Sequence, residues 1–359
     1  MGLAELQKNI PNAPLYSLPQ SEKTKLLLRQ LNYLHKHHLD KCREYNGLCA
    51  SIFGRNKINH IVDLPFFSVR AFKELDLLSI PRDCIFKTMT SSGTSGQAVS
   101  KIYLDQETAA LQSVVLTKLM RKITGPKRLP MLIFDTPNIV LKRDNFSARA
   151  AGVIGFSFFG KDITYALNDD STLNYETIVS FLERHKEKPV FIFGFTFMVW
   201  KYFLNEIKDL KILIDGSRSV LLHGGGWKKL KDEAISNREF KLRAQDVFGL
   251  NKVINYYGLV EQTGSLFFEC ERGYLHPSVY SEVIIRCPKS FKEQGIGTEG
   301  LVQVLSAIPK SYPGHSLITD DLGTVHGVDE CGCGRKGKYF SVNGRLEMSD
   351  IRGCSDAVK

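Results

Sequence analysis

The sequence predicts an α/β protein in which helices flank a parallel sheet and a β-rich, barrel-like subdomain follows. Three observations predict it. Apolar runs at 130–134, 190–193, 219–223 and 253–257 alternate with helix-patterned segments at 106–123, 174–185, 196–207 and 238–248. That alternation marks strand–helix–strand units and a parallel sheet. The runs end in breakers or glycines: Asp135 and Pro137, Gly194, Gly224, Gly258. From about residue 280 the texture changes to short β-like runs at 283–285, 301–305 and 316–319, separated by turns.

Taken in order, residues 21–49 read as one helix. Leu26, Leu27, Leu31, Leu34 and Leu39 recur near helical spacing, with Ser21 as the expected cap and Lys25 and Arg29 on the wet face. His35, His37 and His38 have no partner ligand at a fixed spacing and are expected on a solvated face. Leu64-Pro65-Phe66-Phe67 and the apolar-rich 69–77 lead into a polar stretch, after which 101–104 reads as a strand and 146–155 as a small-residue helix. The expected organisation is a helical lead-in over 1–60, an α/β core over 61–280, the β-rich subdomain over 281–340 and a short tail over 341–359.

Composition narrows the function. The chain has 359 residues, 43% hydrophobic and 24% charged, with a net charge of +10. A basic balance fits anionic ligands. The charge is spread along the chain with no basic arm, so nucleic acid is not expected as a partner. The start has no signal-peptide pattern, and there is no run of about twenty apolar residues to span a membrane. A cytoplasmic protein is therefore expected, and its oligomeric state is open. Of the eight cysteines, five fall at Cys270 or later. In such a chain they point to metal binding or catalysis rather than a disulfide framework.

The polar stretch is Thr88-Met89-Thr90-Ser91-Ser92-Gly93-Thr94-Ser95-Gly96-Gln97, with Lys101 shortly after. Glycines let a backbone turn and present its N–H groups, hydroxyls add donors, and a lysine adds charge. Such a loop can cradle a polyphosphate, or it can be a plain solvated loop. It is not a Walker A loop, because G-x-x-x-x-G-K-[ST] cannot be read through it.

Further motifs follow in order: Gly224-Gly225-Gly226, then Tyr256-Tyr257-Gly258-Leu259-Val260-Glu261-Gln262-Thr263-Gly264, Thr319-Asp320-Asp321-Leu322-Gly323, and Gly344-Arg345. Their order and spacing resemble the adenylate-forming superfamily. Within it, the chain is most similar to the branch of the acyl-protein synthetases of bacterial bioluminescence and phenylacetate–coenzyme A ligase. Ser311-Tyr312-Pro313 and the segment from Phe67 to Phe72 add to that likeness.

The resemblance implies the large domain of that superfamily, with its further C-terminal cap domain absent or truncated. It also implies a set of roles. Thr90, Ser91, Ser92, Gly93, Thr94 and Gly96 would hold the β- and γ-phosphates of ATP, with Lys101 adding charge. Gly224, Gly225 and Gly226 would let the backbone approach the purine, and Tyr256 or Tyr257 would stack on it. Gly258 stands in the same motif as Glu261, which would hold Mg²⁺. Asp321 would accept the ribose hydroxyls, and Arg345 would contact the ribose or the forming adenylate. Asp320 replaces a glycine common in the superfamily.

The apolar run around Gly194 and Phe195 is the expected pocket for a carboxylic acid, with His223 either touching a ligand or packed in the core. The implied reaction makes an acyl-adenylate and passes the acyl group to a thiol. Cys354, beside Arg352 near the C-terminus, is the expected acceptor. An acyl reductase or acyl-carrier protein would then take the group. Coenzyme A as acceptor, or a catalytically inactive nucleotide- and zinc-binding homologue, are the alternatives. Separately, C-x₅-H at Cys270 and His276 and C-x-C at Cys331 and Cys333 could form one structural Cys₃His zinc site.

Overall fold

The computed structural model describes residues 14–54, 58–91, 99–141, 148–206, 215–227 and 233–346. Among these, twelve strands hydrogen-bond into one sheet and two more, β2 (Lys87–Thr90) and β3 (Lys101–Leu104), form a separate hairpin. Five strands are parallel, in the order β5, β4, β6, β7, β8. They are β4 (Leu129–Phe134), β5 (Gly160–Tyr165), β6 (Phe191–Phe195), β7 (Val220–Gly224) and β8 (Lys252–Tyr257).

Both faces of this half are covered. Met131, Ile133, Phe193 and Leu222 point to a core shared with α3 (Gln106–Thr124) and α4 (Ala148–Ser157). Leu132, Phe134, Ile192 and Leu221 point to the opposite core, with α5 (Tyr175–Arg184) and α6 (Asn237–Phe248). That is why these strands are apolar throughout rather than alternating. The helices start on side-chain caps: Asp105 accepts from the Thr108 amide at 2.7 Å, and Ser236 and Glu239 form a capping box before α6.

The β-rich strands are antiparallel and continue the same sheet. Beyond β8 come β9 (Phe267–Glu269), β10 (Leu275–His276), β14 (Lys338–Arg345), β13 (Ser316–Val328), β12 (Glu299–Ser306) and β11 (Ser281–Arg286). Short β1 (Phe67–Ser68) pairs parallel with the start of β13. Strand β13 is much longer than the run expected at 316–319. It carries the Thr319-to-Gly323 motif inside a strand rather than in a turn.

Three other expectations change. The helix expected at 21–49 is two, α1 (Gln20–Lys41) and α2 (Arg43–Ile52), broken by extended Cys42 at φ −119° and ψ 106°. Pro19, not Ser21, occupies the N-cap and makes no side-chain cap bond. The segment after β6 begins as a turn of α-helix, Thr196–Met198, and continues as a π-helix, Val199–Leu204.

The largest change concerns the histidines. His38 is fully buried, not solvated, and stacks on buried His315 with ring centroids 4.9 Å apart. Its Nε2–H donates to the Pro309 carbonyl at 3.2 Å and its Nδ1 accepts from the Ser79 hydroxyl at 2.7 Å. A neutral imidazole satisfies both bonds; a proton on Nδ1 would displace the second. Burial first, and then neighbouring imidazoles, hold His38 and His315 well below their ordinary value of 6.5.

Both rings therefore stay neutral in the fold and take up protons when it opens. Their contribution to stability is complete above about pH 6.5 and is lost as the pH falls below it. Denaturant unfolding at pH 5.5 should give a stability about 1–3 kcal/mol below that at pH 7.5. His315→Asn should show a smaller drop; an equal drop would assign the acid sensitivity elsewhere.

Candidate active site

In a parallel sheet, ligands gather past the carboxyl ends of the strands. Gly194 and Phe195 end β6, His223 and Gly224 end β7, and Tyr256 and Tyr257 end β8, with Gly194 opposite His223 and Gly224 opposite Tyr256 in register. Local sequence explains the close fit. A Cβ at Gly224 would fall 2.6 Å from the Tyr256 carbonyl, and one at Gly225, which has φ +80°, would fall 2.7 Å from the Phe195 ring. Gly226, at φ +67°, completes the turn.

The antiparallel half delivers its residues to the same place. The Tyr257 hydroxyl donates to Asp321 Oδ2 at 2.7 Å, and Arg345 Nε donates to Asp321 Oδ1 at 3.2 Å. Tyr257, Asp321 and Arg345, separated by up to 88 positions in sequence, thus form one cluster. Burial and the Asp321 charge hold the Tyr257 hydroxyl well above its ordinary range, so it stays a donor. Asp320 is matched too: Arg70 grips its Oδ2 through Nε at 3.1 Å and Nη2 at 2.8 Å.

Glu261 lies in a 3₁₀ turn, Val260–Gln262, and is buried. Burial raises its carboxyl above the usual range, and the neighbouring Ser100 hydroxyl opposes that rise. Ser100 closes the base of the Ser/Thr/Gly loop. It bonds Ser91 twice, its carbonyl accepting from the Ser91 amide at 3.1 Å and its amide donating to the Ser91 side-chain Oγ at 2.9 Å. Glu261 therefore stands at the loop's root. Thr90 and Ser91 belong to that root; Ser92, Gly93, Thr94 and Gly96 lie outside the described residues, as does Cys354. Lys101 is exposed, directly across the hairpin from Thr90. Gly258 packs tightly, since a Cβ there would meet the Leu266 side chain at 2.4 Å.

The aromatic residues divide between two faces. Phe195 and Tyr256 join Phe156 and Phe193 on the α4 face, where Gly152 lets the helix come close. His223 turns to the other face. It stacks on Phe240 at 4.3 Å and shares a 3.0 Å bond between Nδ1 and Thr196 Oγ1. Burial lowers its pKa to about 3, so it is neutral. The Tyr256 ring lies against Gly224 and also packs in the aromatic cluster, and Tyr257 is engaged by Asp321.

Nothing in the sequence marks Arg70, Ser100 or the pair Asp135 and Arg149 as site residues. Arg149 donates from Nε at 2.7 Å and Nη2 at 2.5 Å to Asp135, which is buried at the end of β4.

The four zinc-ligand candidates also meet. The ligand atoms of Cys270, His276, Cys331 and Cys333 all lie within 4.8 Å of one another. Cys270 Sγ and Cys331 Sγ are 3.8 Å apart, and Cys333 Sγ is 3.5 Å from His276 Nε2. Zinc in a tetrahedron, with Zn–S near 2.3 Å and Zn–N near 2.0–2.1 Å, spaces its ligands by about 3.8 Å for S–S and about 3.5 Å for S–N. The Cys331–Cys333 turn is further shaped by the Arg335 amide on Cys333 Sγ at 3.4 Å and by Gly334 at φ +81°.

The fold is that of the adenylate-forming ligases. The chain superposes on 2-hydroxyisobutyryl-CoA ligase, in an open conformation with 2-HIB-AMP and CoA, with a TM-score of 0.69 at 13% identity, covering 93% of this chain and 73% of that one. Its sequence is 24% identical to the long-chain-fatty-acid–luciferin-component ligase of Aliivibrio fischeri, over 94% of this chain and 88% of that protein. To the protein of the same name from Vibrio harveyi it is 23% identical, over 93% and 87%. The family model for acyl-protein synthetase, LuxE, matches residues 3–359, and the chain belongs to that family. It is an AMP-forming acid–thiol ligase, which activates an acyl group with ATP.

The glycine turn after β7 gives a direct check on the geometry. Gly225→Ala combines a left-handed backbone with a clash against Phe195 and should destabilise the fold by about 1–3 kcal/mol. Gly226→Ala keeps the backbone strain, but its Cβ would meet nothing within 4 Å. Denaturant midpoints should fall further for Gly225→Ala; the reverse order would contradict this packing.

Proposed function

We propose that this protein activates an apolar, long-chain carboxylic acid as its acyl-adenylate and transfers the acyl group to its own Cys354. The observation that carries the reading is the convergence of Tyr257, Asp321 and Arg345 beside a glycine turn. With Glu261 at the root of a hydroxyl-rich loop, it is the donor and acceptor pattern that a nucleotide triphosphate needs. Asp321 accepts the ribose hydroxyls, and Arg345 balances its charge and faces the forming adenylate. Thr90, Ser91, Ser92, Gly93, Thr94 and Gly96 donate to the departing pyrophosphate, with Lys101 at the rim. Glu261 fits a Mg²⁺ ligand, being a buried carboxylate at the root of that loop. When bound, that cation supplies charge neutralisation on the phosphates.

In the first step a carboxylate oxygen attacks the α-phosphorus and pyrophosphate leaves. In the second, the Cys354 thiolate attacks the adenylate carbonyl, a thioester forms, and AMP leaves with the C–O electron pair. The Leu346 amide donates to the Asp320 carbonyl at 2.8 Å, so the tail departs beside the cluster. Cys354 lies eight positions beyond Leu346, a reach of up to about 26–29 Å. An aromatic wall of Phe156, Phe193, Phe195 and Tyr256 suits an apolar acyl chain. The names of the relatives from Aliivibrio fischeri and Vibrio harveyi favour a fatty acid. A reductase or acyl carrier that accepts acyl groups from the thioester completes the reading.

Incubation with ATP, Mg²⁺ and fatty acids should give a hydroxylamine-labile mass adduct on Cys354, absent from Cys354→Ser. An undiminished adduct in that variant would sink self-acylation. Formation of acyl-coenzyme A at full rate by the same variant would redirect the acyl group to coenzyme A.

We also propose that Cys270, His276, Cys331 and Cys333 hold a structural zinc ion. Metal analysis should find about one zinc per chain, and Cys331→Ser should lose it along with several degrees of Tm. Zinc-free protein that unfolds identically with and without a chelator would end this reading.

A further inference from the structure

Two hairpins meet at the cysteine and histidine cluster, and each brings part of the proposed nucleotide site. Tyr257 ends β8, which pairs with β9, Tyr257 standing opposite Phe267. Asp321 and Arg345 stand opposite each other on β13 and β14. Between β9 and β14 the sheet runs through β10, which is two residues long. Its register with β14 is a single place, Leu275 opposite Phe340. That is the narrowest join on the path through the sheet from Tyr257 to Asp321.

The four ligand candidates straddle this join. Cys270 and His276 belong to the β9–β10 hairpin, Cys331 and Cys333 to the turn between β13 and β14. The two sulfur contacts cross from one side to the other, Cys270 Sγ to Cys331 Sγ at 3.8 Å and Cys333 Sγ to His276 Nε2 at 3.5 Å. An arginine crosses at the same level, Arg335 Nη1 donating to the Phe268 carbonyl at 3.1 Å. From the cluster, rings lead to the site. His276 stacks on Tyr339 with centroids 6.1 Å apart. Phe340, the next residue, stands edge-on to Phe267 at 5.4 Å, and Phe267 packs on Tyr257 at 6.1 Å. Thiols by themselves offer only weak hydrogen bonds across such a join. Four ligands on one ion, two from each side, hold the hairpins at a fixed separation.

We propose that Cys270, His276, Cys331 and Cys333, when they hold zinc, are positioning residues for the nucleotide site: they fix β14 against β10 and so keep the Tyr257 hydroxyl on Asp321. The inference rests on the zinc and nucleotide readings above. None of the four touches the nucleotide; they act on the ribose contact through the seam.

The test is calorimetric AMP binding by the intact chain, zinc-loaded and after zinc removal under a thiol reductant, with circular dichroism to follow the fold. AMP is the probe because it carries the ribose without the pyrophosphate, so Mg²⁺ does not enter the result. Zinc removal should weaken AMP binding about tenfold, the value of one hydrogen bond to a charged group. Amide hydrogen exchange should quicken in β10 and β14 and hold in β4 and β6. In Tyr257→Phe, which lacks the bond that the clamp maintains, zinc removal should cost much less AMP affinity than in the parent. Equal AMP affinity with and without zinc would overturn the inference, as would equal losses in the parent and in Tyr257→Phe. If the zinc-free chain does not stay folded, Arg335→Ala decides the matter. It keeps all four ligands and should retain zinc yet bind AMP several-fold more weakly; unchanged affinity there would overturn the inference. A chain that takes up no zinc would instead overturn the metal reading, and a zinc-loaded chain that binds no AMP the nucleotide reading.

Discussion

The register of β13 is the constraint on which the site depends. Side chains alternate along a strand, so Asp320 and Asp321 point to opposite faces. Asp321 faces Tyr257 and, directly across the pairing with β14, Arg345. Asp320 faces Arg70, which follows β1 and is positioned because Phe67 and Ser68 pair with Leu317 and Ile318. A slip of one residue would exchange the two carboxylates and give each the wrong partners. The strand is held against that slip by a buried polar ladder, in which Arg286 binds Gln303 and Gln303 donates to Ser316 at 3.0 Å. Asp320, the residue expected to depart from the superfamily pattern, is thus accommodated by an arginine on the face it turns to.

Continuity of the sheet does the rest. Tyr257 comes from the parallel half and Asp321 from the antiparallel half, yet both belong to one hydrogen-bonded surface. The segment between them is tied down as well. Gln262, buried behind Glu261, donates its amide to the carbonyls of Val304 and Gly314 at 3.2 and 2.9 Å. Glu261 is consequently carried on a loop anchored to β12 and to the turn before β13. A buried carboxylate needs such anchoring, because its desolvation is compensated only in one geometry.

How much of this was legible follows from the range of each interaction. The parallel strands and their helices were readable because they write local patterns, apolar runs ending in glycine or aspartate. Tyr257, Glu261, Asp321 and Arg345 were readable through resemblance, and three of them do meet. What failed was non-local. The break at Cys42 has no glycine or proline to announce it; α2 turns there to bury Tyr45 and Cys49 against the core of the antiparallel half. The buried state of His38 depends on His315, far along the chain, and no helical pattern on one segment can report it. His223 precedes Gly224 in a motif but, by strand alternation, belongs to the opposite face.

The N-terminal helix shows why the lead-in is not an accessory to this site. Gln20, at its first turn, donates its amide to both oxygens of Asp329 at 3.0 Å, and Asp329 also accepts from the Gly337 amide at 2.7 Å. One turn on, buried Lys23 pairs with Glu282 at 3.4 Å and donates to the Pro277 carbonyl at 3.2 Å. These bonds grip the turn between β13 and β14 and the chain between β10 and β11, the same seam that the Cys270, His276, Cys331 and Cys333 cluster spans. Strand β14 is therefore fixed at its Lys338 end by charge pairing, helix docking and the thiol cluster together. Its other end carries Arg345 to Asp321 and releases the tail. A strand anchored at one end and pairing Arg345 with Asp321 at the other converts stability at the seam into geometry at that cluster, and that links the helical lead-in to the proposed site.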